Sequence, residues 1–392
     1  MPALPNRLTS ADVYRGFVML LMMGEVLRFH KVAEALPDST FWAFLAHHQD
    51  HVEWIGCSLH DLIQPSFSFL VGVVLPYSIS SRLTQESSFS KVFIHALKRS
   101  LILILLGVFL RSQNKVQTYF TFEDTLSQIG LGYPILFLLG FRSQKIQISA
   151  LIIILVGYWL AFALYPLPDI NFDYVNAGVT KDWEHNLTGF AAHWNKNTNL
   201  AWAFDRWFLN LFPREKPFLF NGGGYATLSF MPTLGTMILG LLAGNILKST
   251  TIPTKKIKTF VILGISGLAI GLALNWLGIC PNVKRIWTPT WVLFSGGWCF
   301  LFIAFFYWIV DVKQKEDKFY FLKVIGMNSI AAYCIADALG SYISKSLKIH
   351  LGENYGAIFG DPYQSLVHGG LMLLIYWLLL RWMFNKKLFI RI

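Results

Sequence analysis

The sequence predicts an all-α fold, a polytopic membrane bundle of about ten spanning helices. Three observations carry this. The chain of 392 residues is 54% hydrophobic and only 14% charged, where soluble domains average about 25% charged residues. Its mean hydropathy is +0.48. The apolar residues fall in runs of about 20, the length a helix needs to cross a bilayer, with short basic clusters between them.

In chain order the runs lie near 12–29, 61–81, 92–111, 126–141, 147–166, 226–247, 258–279, 289–310, 322–343 and 366–384. The run at 126–141 is the shortest. The first, second and ninth contain the most polar residues. Ionisable groups are costly inside a bilayer, so function is expected there.

The formal net charge of +11 does not point to nucleic acid, because the basic residues sit between apolar runs and no nucleic-acid motif accompanies them. Lys and Arg concentrate in the loops near 82–99, 142–145, 248–258 and 313–323 and in the tail NKKLFIRI. By the positive-inside bias both termini are expected to be cytoplasmic. That places 30–60 and the long loop near 168–225 on the outer side. One domain is expected over 1–392. The outer loop is rich in Trp, Asn and Gly, a composition that suits either sugar binding or a headgroup-level aromatic belt.

Cys57, Cys280, Cys299 and Cys334 have no CxxC spacing, and neither a disulfide framework nor a zinc site is expected from them. The N-terminus lacks the basic region and small-residue cleavage site of a signal peptide. The first run is therefore expected to be retained as a helix.

Two stretches concentrate titratable groups. In TSADVYRGFVMLLMMGEVLRFH, Thr9 and Asp12 have capping-box spacing. Arg15 lies about one turn into the helix, where it can snorkel to phosphates or hold an anionic cofactor. Glu25 can pair with Arg28 on one face or line an interior cavity. In HHQDHVEWIGCSLHDLIQP, Ser58 and Asp61 again have capping-box spacing. His47, His48, His51 and His60 admit three readings. With Asp50 or Asp61 they offer enough ligands for zinc, although no recognised metal spacing is present. They can instead shape a solvated loop. Or one of them is a general base, with Asp61 orienting its ring. Composition does not choose among the histidines. Later, Asn328 and Ser329 interrupt the ninth run as hydrogen-bond donors, and Lys98 and Arg99 lie toward the cytoplasmic side of the third.

The order of these motifs resembles the heparan-α-glucosaminide N-acetyltransferase family. Ser10, Asp12, Arg15 and Gly16 match its S-x-D-x-x-R-G pattern. His51, Trp54, Gly56, Asp61, Leu62, Pro65, Phe67, Phe69 and Gly72 match H-x-x-W-x-G-x-x-x-x-D-L-x-x-P-x-F-x-F-x-x-G. TLSQIGLGY, RIWTPTWVLFSGGW and KVIGMNSIAAY follow in the family's order. The resemblance runs from about residue 7 to the C-terminus. This chain departs from the pattern at Ile55 and Gln128, where the family has Asn and Arg, and at Glu25, Val26 and Leu27, near which it often has Asn. It resembles a divergent bacterial branch.

The resemblance implies a multi-pass enzyme of the plasma (inner) membrane. It would move an acetyl group from cytosolic acetyl-CoA to the amine of a glucosamine-type sugar on the far side. His51 falls on the family's active-site histidine, as base or acetyl carrier, with Asp61 as its partner. The expected cofactor-binding residues are Arg15, Lys98, Arg99, Gln128, Asn328 and Ser329, the last two as oxyanion donors. Glu25 and Trp54 are the expected substrate contacts. No metal is expected. The partners are the lipid bilayer and the amino sugar, with a second copy of the chain as a candidate. The rival class is a sugar or amino-sugar transporter without acyl transfer, which inverted repeats would favour; the sequence has no clear one.

Overall fold

The apolar runs become helices, and the polar interruptions become the places where helices stop or bend. The structure is a computed structural model that describes residues 8–85 and 88–390. Residues 1–7, 86–87 and 391–392, with Arg391 of the basic tail, lie outside the described residues. Every regular element described is helical, and the one β-type pairing is an isolated antiparallel bridge between Ile55 and Val283.

The chain begins with α1 (Thr9–Met23) and two short helices, α2 (Phe29–Ala35) and α3 (Thr40–Gln49). Next come α4 (Ile63–Gln85), α5 (Phe89–Arg111), α6 (Thr125–Leu139) and α7 (Gln144–Ala163). The long loop holds α8 (Leu200–Phe208). It is followed by α9 (Phe230–Lys248), α10 (Pro253–Trp276) and α11 (Pro289–Phe306). The end of the chain forms α12 (Tyr320–Met327), α13 (Ser329–Cys334), α14 (Gly340–Leu351) and α15 (Gln364–Asn385).

Among the described residues seven helices are long and apolar enough to cross a membrane, and an eighth candidate is a pair, Glu316–Met327 with Ser329–Leu351, bent by 67°. The sequence offered about ten candidates, and fewer of them form single long apolar helices among the described residues. The runs at 12–29 and 126–141 do form helices, but α1 and α6 have only 15 residues each. At 1.5 Å per residue each covers about 22 Å, short of the roughly 30 Å hydrocarbon core. The α-helical part of α1 ends because Gly24–Leu27 tightens into a 3-10 turn and Arg28 takes a left-handed φ of 50°. The expected capping box at Thr9 does not form either: Leu8 occupies the cap position without a side-chain bond, and Asp12 pairs with Arg15 at 3.3 Å.

The central packing pairs α4 with α9, α1 with α12, α5 with α6, and α10 with α11. Glycine sets the approach in these contacts, most closely in two of them. Gly72 and Gly240 meet across α4 and α9, and Gly16 and Gly326 meet across α1 and α12; a Cβ at any of them would collide with the backbone of the facing helix. Small residues that let backbones touch are the usual means of helix association in lipid. The result is that the same helices, α1, α4 and α5, line cavities at both of their ends.

Candidate active site

One end of the bundle is built by the stretch after α3. Ser58 and Asp61 make a reciprocal capping box at the entry to α4: the Ser58 backbone N–H donates to Asp61 Oδ2 at 3.0 Å, and the Asp61 backbone N–H donates to Ser58 Oγ at 3.2 Å. Val52 N–H also donates to Oδ2, at 3.3 Å. The other carboxylate oxygen, Oδ1, lies 2.8 Å from His51 Nδ1 and 3.1 Å from Lys284 Nζ. The capping contacts and the contacts with His51 and Lys284 thus use different oxygens of one fully buried carboxylate.

Lys284 Nζ is also 3.0 Å from His51 Nδ1. Nδ1 cannot donate to Asp61 and accept from Lys284 at once. An aspartate acceptor at 2.8 Å favours the Nδ1–H tautomer, with the ammonium donating to Oδ1, and leaves the Nε2 lone pair free. Burial pushes the His51 imidazole below its ordinary value; the Lys284 charge acts in the same direction and Asp61 opposes it. Burial likewise pulls the Lys284 ammonium down, against the attraction of Asp61. A neutral histidine held by a carboxylate is the arrangement of a general base.

Lys284 was not legible as a site residue in the sequence. It arrives through the bridge between Ile55 and Val283, where Gly56 N–H donates to the Asn282 carbonyl at 3.2 Å. Gly56 has φ +126°, a conformation L side chains rarely adopt, so this motif glycine is required by the backbone. Arg285 completes the clamp by donating to the Gly223 and Val52 carbonyls. The available signal was a lysine between two apolar runs, only 5% exposed here, since buried lysines are almost always paired.

His51 opens on a cavity of about 550 Å³ whose wall also includes Glu25, His60, Arg111, Glu123 and Lys284. Glu25 accepts from His60 Nε2 at 2.8 Å, and the His51 and His60 rings lie 4.7 Å apart. His48 Nδ1 accepts the Leu59 N–H, which assigns it to the backbone. Burial raises the carboxyl groups of Glu123 and Asp124. Among the described residues no group of three His, Cys, Asp or Glu is arranged to hold a metal ion.

A second cavity of about 550 Å³ lies at the opposite ends of the same helices, lined by Asp12, Arg15 and Met19 of α1, Val74, Tyr77, Ser78 and Ser81 of α4, Arg99 of α5 and Ser329 of α13. Arg99 donates to the Tyr133 hydroxyl at 3.1 Å and lies over its ring. The remaining expected residues sit elsewhere. Lys98 is exposed and outside this lining. Gln128 is buried behind the first cavity, donating to the Ala226 carbonyl and accepting from Thr233. Asn328 is fully buried and holds the C-terminal tail: its Nδ2 donates to the Leu388 carbonyl and its Oδ1 accepts from Ile390 N–H. Trp54 is 1% exposed, with its indole N–H on the Trp194 carbonyl, and leaves no ring face to the cavity. The bulky aromatics of the long loop pack on one another, and Asn221, Gly223 and Tyr225 of that loop complete the His51 cavity wall.

No family model matches the chain. It is similar over its whole length to human heparan-alpha-glucosaminide N-acetyltransferase, at 24% identity covering 100% of this chain and 61% of the relative. The mouse protein of the same name is 25% identical over 99% of this chain and 61% of its own length. The chain thus spans about three fifths of the length of the curated relatives it matches. The similarity covers this chain from end to end, and both of these relatives are heparan-alpha-glucosaminide N-acetyltransferases.

Proposed function

We propose that the chain is a transmembrane acetyltransferase that passes an acetyl group from acetyl-CoA, held at the Arg15 end, to a glucosamine-type amine held at the His51 end. The observation that supports this is the pair of cavities entering α1 and α4 from opposite ends, one finishing at His51, Asp61 and Lys284 and the other carrying Arg15 and Arg99. Guanidinium groups suit the phosphates of CoA. The basic loops are clustered at the Arg15 end, so this end is the cytoplasmic one in our reading.

The acceptor amine must be neutral to attack a thioester. His51 Nε2 takes its proton, while Asp61 holds the ring and stabilises the imidazolium that forms. Lys284 keeps Asp61 ionised and keeps His51 neutral before the reaction. The carboxylates Glu25 and Glu123 on the cavity wall attract a cationic amine from solution.

The test is direct. The purified protein in lipid nanodiscs, given acetyl-CoA and glucosamine, releases free CoA thiol, and His51→Ala abolishes the release while acetyl-CoA affinity stays within about twofold. General base removal of this kind costs about 10²–10⁴ in rate. Glucosamine uptake into proteoliposomes without acetyl-CoA, with no thiol release, would replace this reading with a transporter.

A further inference from the structure

The two cavities have three wall residues in common: Phe67, Thr125 and Tyr333. These residues stand where the Arg15 side and the His51 side meet. Tyr333 closes the KVIGMNSIAAY motif, to which the site described above assigns no chemistry. The chain brings it there by a break: Asn328 leaves helical geometry, with φ −126° and ψ 37°, and the span bends by 67° at that point. Asn328 spends its own side chain on the C-terminal tail, so Asn328 itself supplies no donor, and Ser329 beside it lines only the Arg15 cavity.

Among the described residues neither the Tyr333 nor the Thr125 hydroxyl makes a hydrogen bond. Both belong to residues only partly buried, opening on both cavities. Elsewhere in this bundle some hydroxyls are partnered, as where Tyr14 donates to Ser66, Tyr158 to the Ile286 carbonyl and Thr233 to Gln128, while those of Ser127 and Tyr376 are buried without a partner and lie outside both cavity walls. Two free hydroxyls at the common wall are therefore available to a molecule that crosses it.

A thioester delivered from the Arg15 side presents its carbonyl at this wall. Donors to that carbonyl must face both cavities. Arg111 and Lys284 line only the His51 cavity, and Lys284 is already committed to Asp61. We propose that the Tyr333 hydroxyl, assisted by that of Thr125, donates to the acyl carbonyl oxygen and stabilises the oxyanion formed there; this rests on the acetyltransferase reading above.

The step balances. The amine nitrogen bonds to the thioester carbon, and the carbonyl π pair moves to oxygen, where Tyr333 and Thr125 donate. His51 Nε2 takes one ammonium proton. The oxyanion re-forms the carbonyl, the carbon–sulfur bond breaks, and the thiolate leaves with the proton returned by His51, giving amide and free CoA. Phe67, apolar and on the same wall, is left to border the acyl methyl.

Tyr333→Phe tests this because it removes one oxygen and keeps the ring. With acetyl-CoA and glucosamine, kcat falls about 10²–10³-fold, the usual cost of one oxyanion donor, while KM for acetyl-CoA and the melting temperature stay at wild-type values. Thr125→Val lowers kcat by a smaller factor. A second readout does not need turnover. In isotope-edited infrared spectra of bound [1-¹³C]acetyl-CoA, the carbonyl band of the wild-type complex lies at lower wavenumber than that of the Tyr333→Phe complex. Wild-type kcat in Tyr333→Phe, a loss confined to KM, or an unshifted band overturns the oxyanion assignment and leaves the acetyltransferase standing. Bound acetyl-CoA with no thiol release by the wild-type protein overturns the acetyltransferase reading itself.

Discussion

The two ends of the bundle differ in how their polar groups are held. At the His51 end every oxygen of Asp61 is assigned: one carries the capping box, the other carries His51 and Lys284. At the Arg15 end two guanidinium groups stand among mostly apolar neighbours, one near Asp12 and one over Tyr133. The first arrangement fixes the orientation of a ring and biases it toward the neutral form. The second offers positive charge and apolar surface, which is what a long anionic cofactor with a flexible arm requires. Chemistry needs the former, and binding is served by the latter.

Changes at the His51 end should therefore strike kcat, and changes at the Arg15 end should strike affinity. The largest effect is expected at Asp61. Asp61→Asn removes the negative charge and one of the two acceptor oxygens beside His51, which disturbs the ring's tautomer and leaves Lys284 charged without its ionic partner. Thiol release should fall about 10³–10⁴-fold by analogy with triad aspartates. Breaking a buried ion pair from one side costs about 3–5 kcal/mol, which a denaturation series in mild detergent would register. Full activity in this variant would break the comparison outright.

Lys284→Met comes next, and its sign can be worked out. The Lys284 cation and burial both hold the His51 pKa below the ordinary imidazole value of about 6.5, so the base is neutral and active above that lowered pKa. Removing the cation raises the pKa of His51. The acid limb of the rate profile should then move to higher pH than in the wild-type protein, as read from kcat/KM for the acceptor. A limb that stays in place, or moves down, would show that Lys284 does not act on His51 electrostatically.

Arg15→Gln is expected to be smaller and of a different kind: KM for acetyl-CoA rises roughly tenfold, about 1.4 kcal/mol, with kcat little changed, measured by initial rates at varied donor. A fall in kcat at saturating acetyl-CoA would move Arg15 into the chemistry. The smallest effect is expected at Lys98, which is exposed and absent from either lining. Lys98→Ala should leave both constants within about twofold, and a tenfold loss of donor affinity would redraw the boundary of the Arg15 cavity.

Much of the scaffold was legible before the structure. Apolar run length placed the long helices, and the spacing of Ser58 and Asp61 foretold a capping box that the structure contains. The same spacing at Thr9 and Asp12 did not form one, because Asp12 pairs with Arg15 and Ser10 is engaged with Asp311 near the end of the α11 span. Capping is a local signal, and here a neighbour on the same helix, Arg15, takes up the Asp12 carboxylate. The motif residues divide in a similar way. His51 and Asp61 come together as expected, whereas Gln128, Asn328 and Trp54 are taken up by backbone partners that no spacing announces.

Local composition and period by themselves determined that this protein is an all-helical membrane bundle, and that its ionisable residues gather where apolar runs are interrupted, because the bilayer penalises both unpaired backbone and stray charge. Only the tertiary structure decided which groups meet. Lys284 stands more than two hundred residues from His51 in the chain, and it reaches the ring because a bridge at Ile55 and Val283 and a left-handed Gly56 close two distant loops on each other. Contacts of that separation depend on how helices stack, and stacking is a property of surfaces that the one-dimensional pattern does not contain.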